Sequence, residues 1–367
     1  MKDKNKNRLS SVFEFIIYNI KYLFKFFLNK KFRSEQKTRY KNGNGYDLIS
    51  RIKHREVKKC FGKKNPDKTF YVIRRFSMVE GQYSMISSIL AHLHYIDGKG
   101  YIPIVDMKNY YNKLWQQDDK KYKENAWDYL YENLTDVSLS DVYQSKNVIL
   151  SWGGKCPPKG FNELSEKNLE IVDWKYYYDK YIIPNSEMQR IIDESILNFE
   201  QYYSEMLGVC IRRDHEYICR LGFNLESAAT KVSISFDQRI EQIADILENS
   251  KLKYIFLCID DEEGLQLFKN RFGNKLLYIN RVRSKMFENN IPIPREERLK
   301  FFDLTINNED TFLQKEAKYT SEVMILSKCN SLIANKCTTY KFAYILNEKR
   351  YYHLYHYDGS DNLVKNW

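Results

Sequence analysis

Three stretches of this 367-residue chain put chemistry-bearing residues where an α/β protein would present them. The first is LGVCIRRDHEY (207 to 217), in which an apolar run ends in Arg212 and Arg213 and continues into Asp214, His215 and Glu216. Successive strand residues point to opposite faces, so one guanidinium can meet a ligand while the other packs or pairs. Two fixed donors at a strand end suit the charge that develops on a departing diphosphate. A surface ion-pair cluster would use the same residues. The second stretch is FLCIDDEEG (256 to 264), where Asp260 and Asp261 follow a strand and can accept hydrogen bonds from a base edge or a ribose. Either one can instead cap the helix that Glu262 and Glu263 begin. The third is SEVMILSKCNSLIANKCTTYKFAYILN (321 to 347), in which a strand ending at Asn335 passes through Cys337 into a helix beginning at Thr338 and Thr339. Such a helix start offers amides and hydroxyls to a phosphate, or is simply a capped end.

These stretches need a scaffold, and the hydrophobic pattern supplies one. Runs at 69 to 75, 101 to 107 and 147 to 152 read as strands, with helices at 81 to 96 and 125 to 133 between them. A long amphipathic helix, 187 to 206, leads to a second alternation. Strands are expected at 207 to 213, 254 to 259, 276 to 279 and 331 to 334, and helices at 238 to 249, 263 to 272, 321 to 329 and 339 to 346. Two alternating runs imply two doubly wound α/β domains facing a cleft, joined near 190 to 205. The expected divisions are 1–35, a basic amphipathic helix; 36–66, a polar linker; 67–200 and 201–350, the two domains; and 351–367, a terminal tail.

Charge is unevenly spread. The chain carries 59 Lys plus Arg against 48 Asp plus Glu, net +11. Residues 1 to 66 hold 19 basic and 5 acidic side chains, and the remainder 40 against 43. A nearly neutral body without a recognised binding motif argues against a nucleic-acid partner. Residues 12 to 28, VFEFIIYNIKYLFKFFL, are too short and too polar to span a bilayer and lack a small-residue cleavage site after them. Glu14, Lys21 and Lys25 share one helical face, which fits a helix lying in the membrane interface, its basic flank through Lys41 meeting anionic lipid. Docking of this helix on protein is the other reading. An odd set of seven cysteines in mostly apolar runs, with no Cys-x-x-Cys, fits buried thiols in a reducing compartment. The chain has no Asp-x-Asp, P-loop or dinucleotide fingerprint, and its histidines show no metal spacing, so no metal is expected. Candidates for a general base are Glu80, Asp106, Asp214 and Glu216, each near an expected strand end.

In order and spacing, the three stretches resemble the shared motifs of the fucosyltransferase superfamily, which includes the alpha-1,2-, alpha-1,6- and protein O-fucosyltransferases. LGVCIRR is similar to a Gly-Val-His-Ile-Arg-Arg strand, FLCIDD to a strand ending in Ser/Thr-Asp-Asp, and SLIANKC to an Ile-Ala-Asn-Ser segment. The stretches 80 to 112 and 125 to 133 resemble proteins of bacterial capsule and surface-polysaccharide clusters. The resemblance implies a GT-B-like fold and metal-independent, inverting transfer from a GDP-sugar, GDP-fucose first. The acceptor it implies is a glycan, in one form lipid-linked, at the cytoplasmic face of the membrane. It assigns Arg212 to the β-phosphate with Arg213 beside it, Asp260 and Asp261 to the nucleotide, and Asn335, Cys337, Thr338 and Thr339 to the phosphate loop. Cys210 stands where the superfamily has histidine, His215 replaces an Asp, and Lys336 and Cys337 replace serines. A non-catalytic scaffold of the same fold, or a transferase using another nucleotide sugar, is the alternative.

Overall fold

The computed structural model describes residues 28, 56–74, 81–109, 125–152, 160–211, 236–283, 287–288, 291–292, 312–335, 337–357 and 363–366. They form two compact units. The first comprises residues up to 80, 91–126 and 133–162, and the second 81–90, 127–132 and 163–367. The sequence division therefore falls at 162/163, ahead of the expected 190 to 205.

The first unit is built on a four-stranded sheet of β1 (Val57–Lys59), β2 (Lys64–Arg74), β3 (Ile102–Asp106) and β4 (Ser145–Leu150). Its spatial order is β1-β4-β2-β3, with β2 parallel to both β3 and β4, and β1 antiparallel on the edge. Alternation sorts its side chains by face. Phe70, Val72, Ile104, Val148 and Leu150 form one core with Val142 of the short helix α2 (Leu139–Val142), and Tyr71 on the other face reaches His92. His92 lies in α1 (Gln82–Ile96), whose residues 82–90 belong to the second unit and whose remainder belongs to the first. The sheet corrects one boundary: residues 57–59 and 64–66, expected within a linker, are strand.

The second unit carries the larger sheet. Its strands are β5 (Met206–Cys210), β6 (Tyr254–Cys258), β7 (Leu276–Leu277), β10 (Ser331–Asn335), β11 (His353–Tyr357) and β12 (Leu363–Asn366). A separate small hairpin pairs β8 (Phe287–Glu288) with β9 (Ile291–Pro292). The order is β12-β11-β10-β5-β6-β7, parallel throughout except for β12. The five parallel strands thus follow the doubly wound order, with the chain running one way from β5 to β6 and β7 and the other way to β10 and β11. Within the expected tail, His353–Tyr357 and Leu363–Asn366 add two strands to this sheet.

Strands buried on both faces need apolar residues at every position, and β5 (MLGVC) and β6 (YIFLC) meet that need. Leu207, Val209, Ile255 and Leu257 pack under α5 (Phe236–Glu248) and α6 (Glu262–Phe272). α5 supplies Ile240, Ile243, Ala244 and Leu247 at helical spacing. α6 opens on Asp261 and closes at Gly273, whose φ of +52° suits a residue without a Cβ.

The opposite face receives α7 (Phe312–Lys328). That helix starts nine residues before its expected beginning, because Glu316 and Thr320 are buried polar residues that interrupt the apolar signal. With Gln82 in the orientation that satisfies its neighbours, its amide nitrogen donates to the Glu316 carboxylate at 3.1 Å, and Thr320 donates to its oxygen at 3.1 Å. Two expected helices are shorter or divided, and one helix is additional. Residues 125–133 yield only a 3₁₀ turn at Ala126–Tyr129, α3 (Trp174–Tyr181) falls where none was read, and 187–206 divides into α4 (Ser186–Ile196) and a 3₁₀ stretch, Leu197–Glu205.

Gly208 fixes how closely α7 approaches the sheet. A Cβ there would lie 3.1 to 3.2 Å from Leu326, Cys329 and Leu332 side-chain atoms. Gly208→Val overpacks this contact and is expected to lower unfolding free energy by about 1–3 kcal/mol in chemical denaturation.

Candidate functional site

In an open parallel sheet the crevice beyond the carboxyl ends of the strands opens where the winding direction reverses. In the second unit that point lies between β5 and β10, where Cys210 pairs with Ala334 on one side and with Cys258 of β6 on the other. Register partners on parallel strands project to the same face. The Cys210 thiol lies in hydrogen-bond contact with those of Cys258 and Cys337 beneath this rim. Contact with Cys258 and Cys337, then burial, push the Cys210 thiol well above its usual range. For Cys258, the Cys210 contact favours the thiolate, but burial and the neighbouring Glu322 carboxylate outweigh it and raise the pKa. Both shifts favour the neutral thiol over the nucleophilic thiolate.

Beside the thiols lies a buried charge network. Glu322 of α7 is fully buried and accepts Arg281 Nη2 at 2.9 Å, Arg283 Nη2 at 3.3 Å and the Cys258 thiol at 3.3 Å. Arg281 Nη2 also reaches Asp260 Oδ1 at 2.7 Å and the Ile259 carbonyl at 3.1 Å. Arg283 donates to the carbonyls of Ile259, Ile279 and Arg281. Burial opposes the charge on Arg281, and the Glu322 and Asp260 carboxylates outweigh that penalty, leaving its pKa above the ordinary value. The network sets two guanidinium groups against two carboxyl groups, and burial holds the Arg283 pKa below its ordinary value. Its outer member differs from the rest: the Asp260 side chain is 35% exposed, against 5% for Arg281.

The adjacent acids have separate jobs. Asp261 is 1% exposed and its carboxylate accepts the Gly264 amide at 2.9 Å, making it the N-cap of α6. Asp260 is the one left at the rim.

The third motif forms the other side of the rim. β10 ends at Asn335, and α8 (Thr338–Leu346) starts after Cys337, which makes no capping hydrogen bond with its side chain. The first-turn amides of a helix have no acceptors within it, so an uncapped start presents them together with the positive end of the helix dipole. The Cys337 amide itself is turned back to the Asn335 carbonyl at 2.8 Å. Thr338 Oγ1 lies 3.4 Å from Ser84 Oγ and is partly exposed. Thr339 is 2% exposed and its hydroxyl is 2.5 Å from Tyr319, so its side chain serves packing and only its backbone faces the rim.

In the first unit, Asp106 is unsuited to act as a base. It is fully buried and accepts the Lys108 and Asn109 amides, the Asn109 side chain and the Tyr143 hydroxyl, the last at 2.6 Å. His92 and His94 face different neighbours, Tyr71 and Asn162. Among the described residues no group of three His, Cys, Asp or Glu side chains has metal-binding geometry. Arg212, Arg213, Asp214, His215, Glu216 and Glu80 lie outside the described residues.

The residues that sequence reasoning missed are Arg281, Arg283 and Glu322. A lone acid within the apolar run SEVMILS was the available signal for Glu322. Alternating Arg-Val-Arg after a strand was the signal for its partners.

No protein-family profile matches this sequence, and no curated protein matches it. Its fold is similar to several solved structures. NodZ alpha-1,6-fucosyltransferase soaked with GDP-fucose aligns at 15% identity and TM-score 0.47, over 82% of this chain and 99% of that one. A structure of NodZ from Bradyrhizobium aligns at 14% and 0.47 over the same shares. A mutant of Arabidopsis thaliana FUT1 in complex with GDP aligns at 10% and 0.40, over 89% and 77%. At these values the roles of individual residues rest on this chain's own geometry.

The network separates structural from ligand-facing roles. Glu322→Gln takes the carboxylate partner from buried Arg283 and leaves Arg281 only Asp260, and is expected to cost about 3–5 kcal/mol of stability. Asp260→Asn removes only the exposed arm and is expected to cost about 1 kcal/mol or less, both read by chemical denaturation.

Proposed function

We propose that this chain is a glycosyltransferase that moves a sugar from a nucleoside diphosphate donor, GDP-fucose first, to a hydroxyl of a glycan. The observation that carries the reading is the juxtaposition at one sheet rim of an uncapped helix start and a carboxylate held by a buried arginine. The amides of α8 suit a diphosphate and Asp260 suits the hydroxyls or base edge of a nucleoside, and the two flank the reversal point where α/β sheets take ligands. The sequence motifs supply the rest of the reading: a GT-B-like pairing of two domains, and Arg212 as the cation at the β-phosphate with Arg213 beside it.

The reaction is a single displacement. An acceptor hydroxyl attacks the anomeric carbon, the bond from that carbon to the β-phosphate oxygen breaks, and configuration inverts. Negative charge grows on the departing diphosphate, where Arg212 and the α8 amides stabilise it mainly in the transition state and no metal is required. Asp214 or Glu80 takes the acceptor proton. The same reading assigns residues 1–41 to an anionic membrane surface on the cytoplasmic side, where a lipid-linked glycan of surface-polysaccharide synthesis would be met. No helix among the described residues is long and apolar enough to cross a membrane.

Turnover of GDP-fucose in the presence of EDTA tests the reading, with release of GDP followed against UDP- and CDP-sugars. Arg212→Ala is expected to lower kcat at least about 100-fold with an unchanged melting temperature. Turnover that requires a divalent metal, or an Arg212→Ala enzyme of undiminished rate, contradicts it. Nucleotide binding without any turnover favours the scaffold alternative.

A further inference from the structure

Three thiols converge where the second unit's sheet reverses its winding. Cys210 ends β5 in register with Cys258 of β6, and Ala334 of β10 flanks it on the other side. Beyond β10 the chain brings Cys337, the residue before α8, onto Cys210, whose thiol is in hydrogen-bond contact with both other cysteines. Cys258 has a second partner in the buried Glu322 carboxylate, to which its thiol donates at 3.3 Å. The other described cysteines, Cys60 and Cys329, donate to backbone carbonyls instead.

Exposure ranks the three. Cys210 and Cys258 are 2% and 4% exposed, whereas Cys337 is partly open to solvent. Cys337 also stands at the amino end of a helix, where first-turn amides and the dipole stabilise negative charge, a setting that makes thiols reactive. A soluble oxidant therefore meets Cys337 first, and the thiol beside it is Cys210.

We propose that Cys337 and Cys210 form a hydroperoxide-sensitive thiol pair that closes reversibly into a disulfide and so controls the start of α8. The Cys337 sulfur attacks the distal oxygen of the hydroperoxide and the O–O bond breaks. Cys337 becomes a sulfenic acid, and the departing alkoxide takes up the thiol proton and leaves as an alcohol, or as water from hydrogen peroxide. The Cys210 sulfur then attacks the Cys337 sulfur, the S–O bond breaks, and the hydroxide takes the Cys210 proton and leaves as water. Each thiol loses one electron and the peroxide gains both. Closure reshapes the rim, because a disulfide needs a shorter approach than hydrogen-bonded thiols make and draws Cys337 toward β5. The Cys337 carbonyl accepts the Lys341 amide at 3.3 Å, the first hydrogen bond of α8, so the displacement passes into the first helical turn. That turn holds the amides assigned above to the donor diphosphate, and the effect on nucleotide rests on that reading.

Peptide mapping of the full chain by mass spectrometry, before and after hydrogen peroxide, reads the thiol pair without any nucleotide. A Cys210–Cys337 bridge that dithiothreitol opens is expected, and in Cys210→Ala the same treatment carries Cys337 on to the sulfinic acid. Absence of the bridge at peroxide levels that oxidise the exposed Cys60, or a Cys210–Cys258 bridge in its place, overturns the proposal. Calorimetry with GDP then compares the reduced and oxidised chain. Loss of at least about tenfold in affinity on oxidation is expected, restored by dithiothreitol in the parent chain and not in Cys210→Ala. A bridged chain that keeps its GDP affinity within about twofold overturns the control of α8. A chain that forms the bridge but binds no GDP even when reduced overturns the donor reading and leaves the thiol pair standing.

Discussion

Glu322 is the group on which the second unit's rim depends. A carboxylate without solvent exposure is tolerable only when its charge is matched, and here two arginines from one short segment after β7 do so. Because Arg281 bonds both Glu322 and Asp260, the buried pair orients a half-exposed acid at the sheet end. The same carboxylate accepts a thiol hydrogen bond from Cys258, tying the helix α7 to the strand β6. A site that needs a carboxylate in one place is better served by this rigid support than by a loop of surface acids.

The remainder of the rim follows from topology. Reversal of winding between β5 and β10 brings the end of one motif beside the start of α8, and parallel register sets Cys210 between Cys258 and Ala334. The absence of a Cβ at Gly208 lets Leu326 and Cys329, at the end of α7, pack directly against β5. Where the resembling superfamily has a histidine at the position of Cys210, this chain has a small group held by other thiols. Among the described residues, the polar groups at this rim are Asp260 and the start of α8.

Much of this architecture was legible in the chain. The strands β3, β5, β6 and β10 are apolar runs long enough to be read directly, and Asp-Asp-Glu-Glu-Gly marked the start of α6, though not which of the two Asp residues caps it. Thr339 was read as ligand-facing because a hydroxyl at a helix start suggests it; the partner that turns it inward, Tyr319, comes from another helix and leaves no local trace. Asp106 is engaged mainly from close by, through the Lys108 and Asn109 amides and the Asn109 side chain, with the Tyr143 hydroxyl as its one distant donor. The early start of α7 and the strands after residue 352 were hidden by polar and aromatic residues whose burial only tertiary contacts create.

The central claim is that the rim between β5 and β10 is where a nucleoside diphosphate sits. Hydrogen exchange of the full chain with and without GDP tests it most directly. The account predicts slowed exchange at the amides of 258–264 and 337–341 and no change in β1 and β2. Protection absent from both segments at saturating GDP, or confined to the first unit, would contradict it.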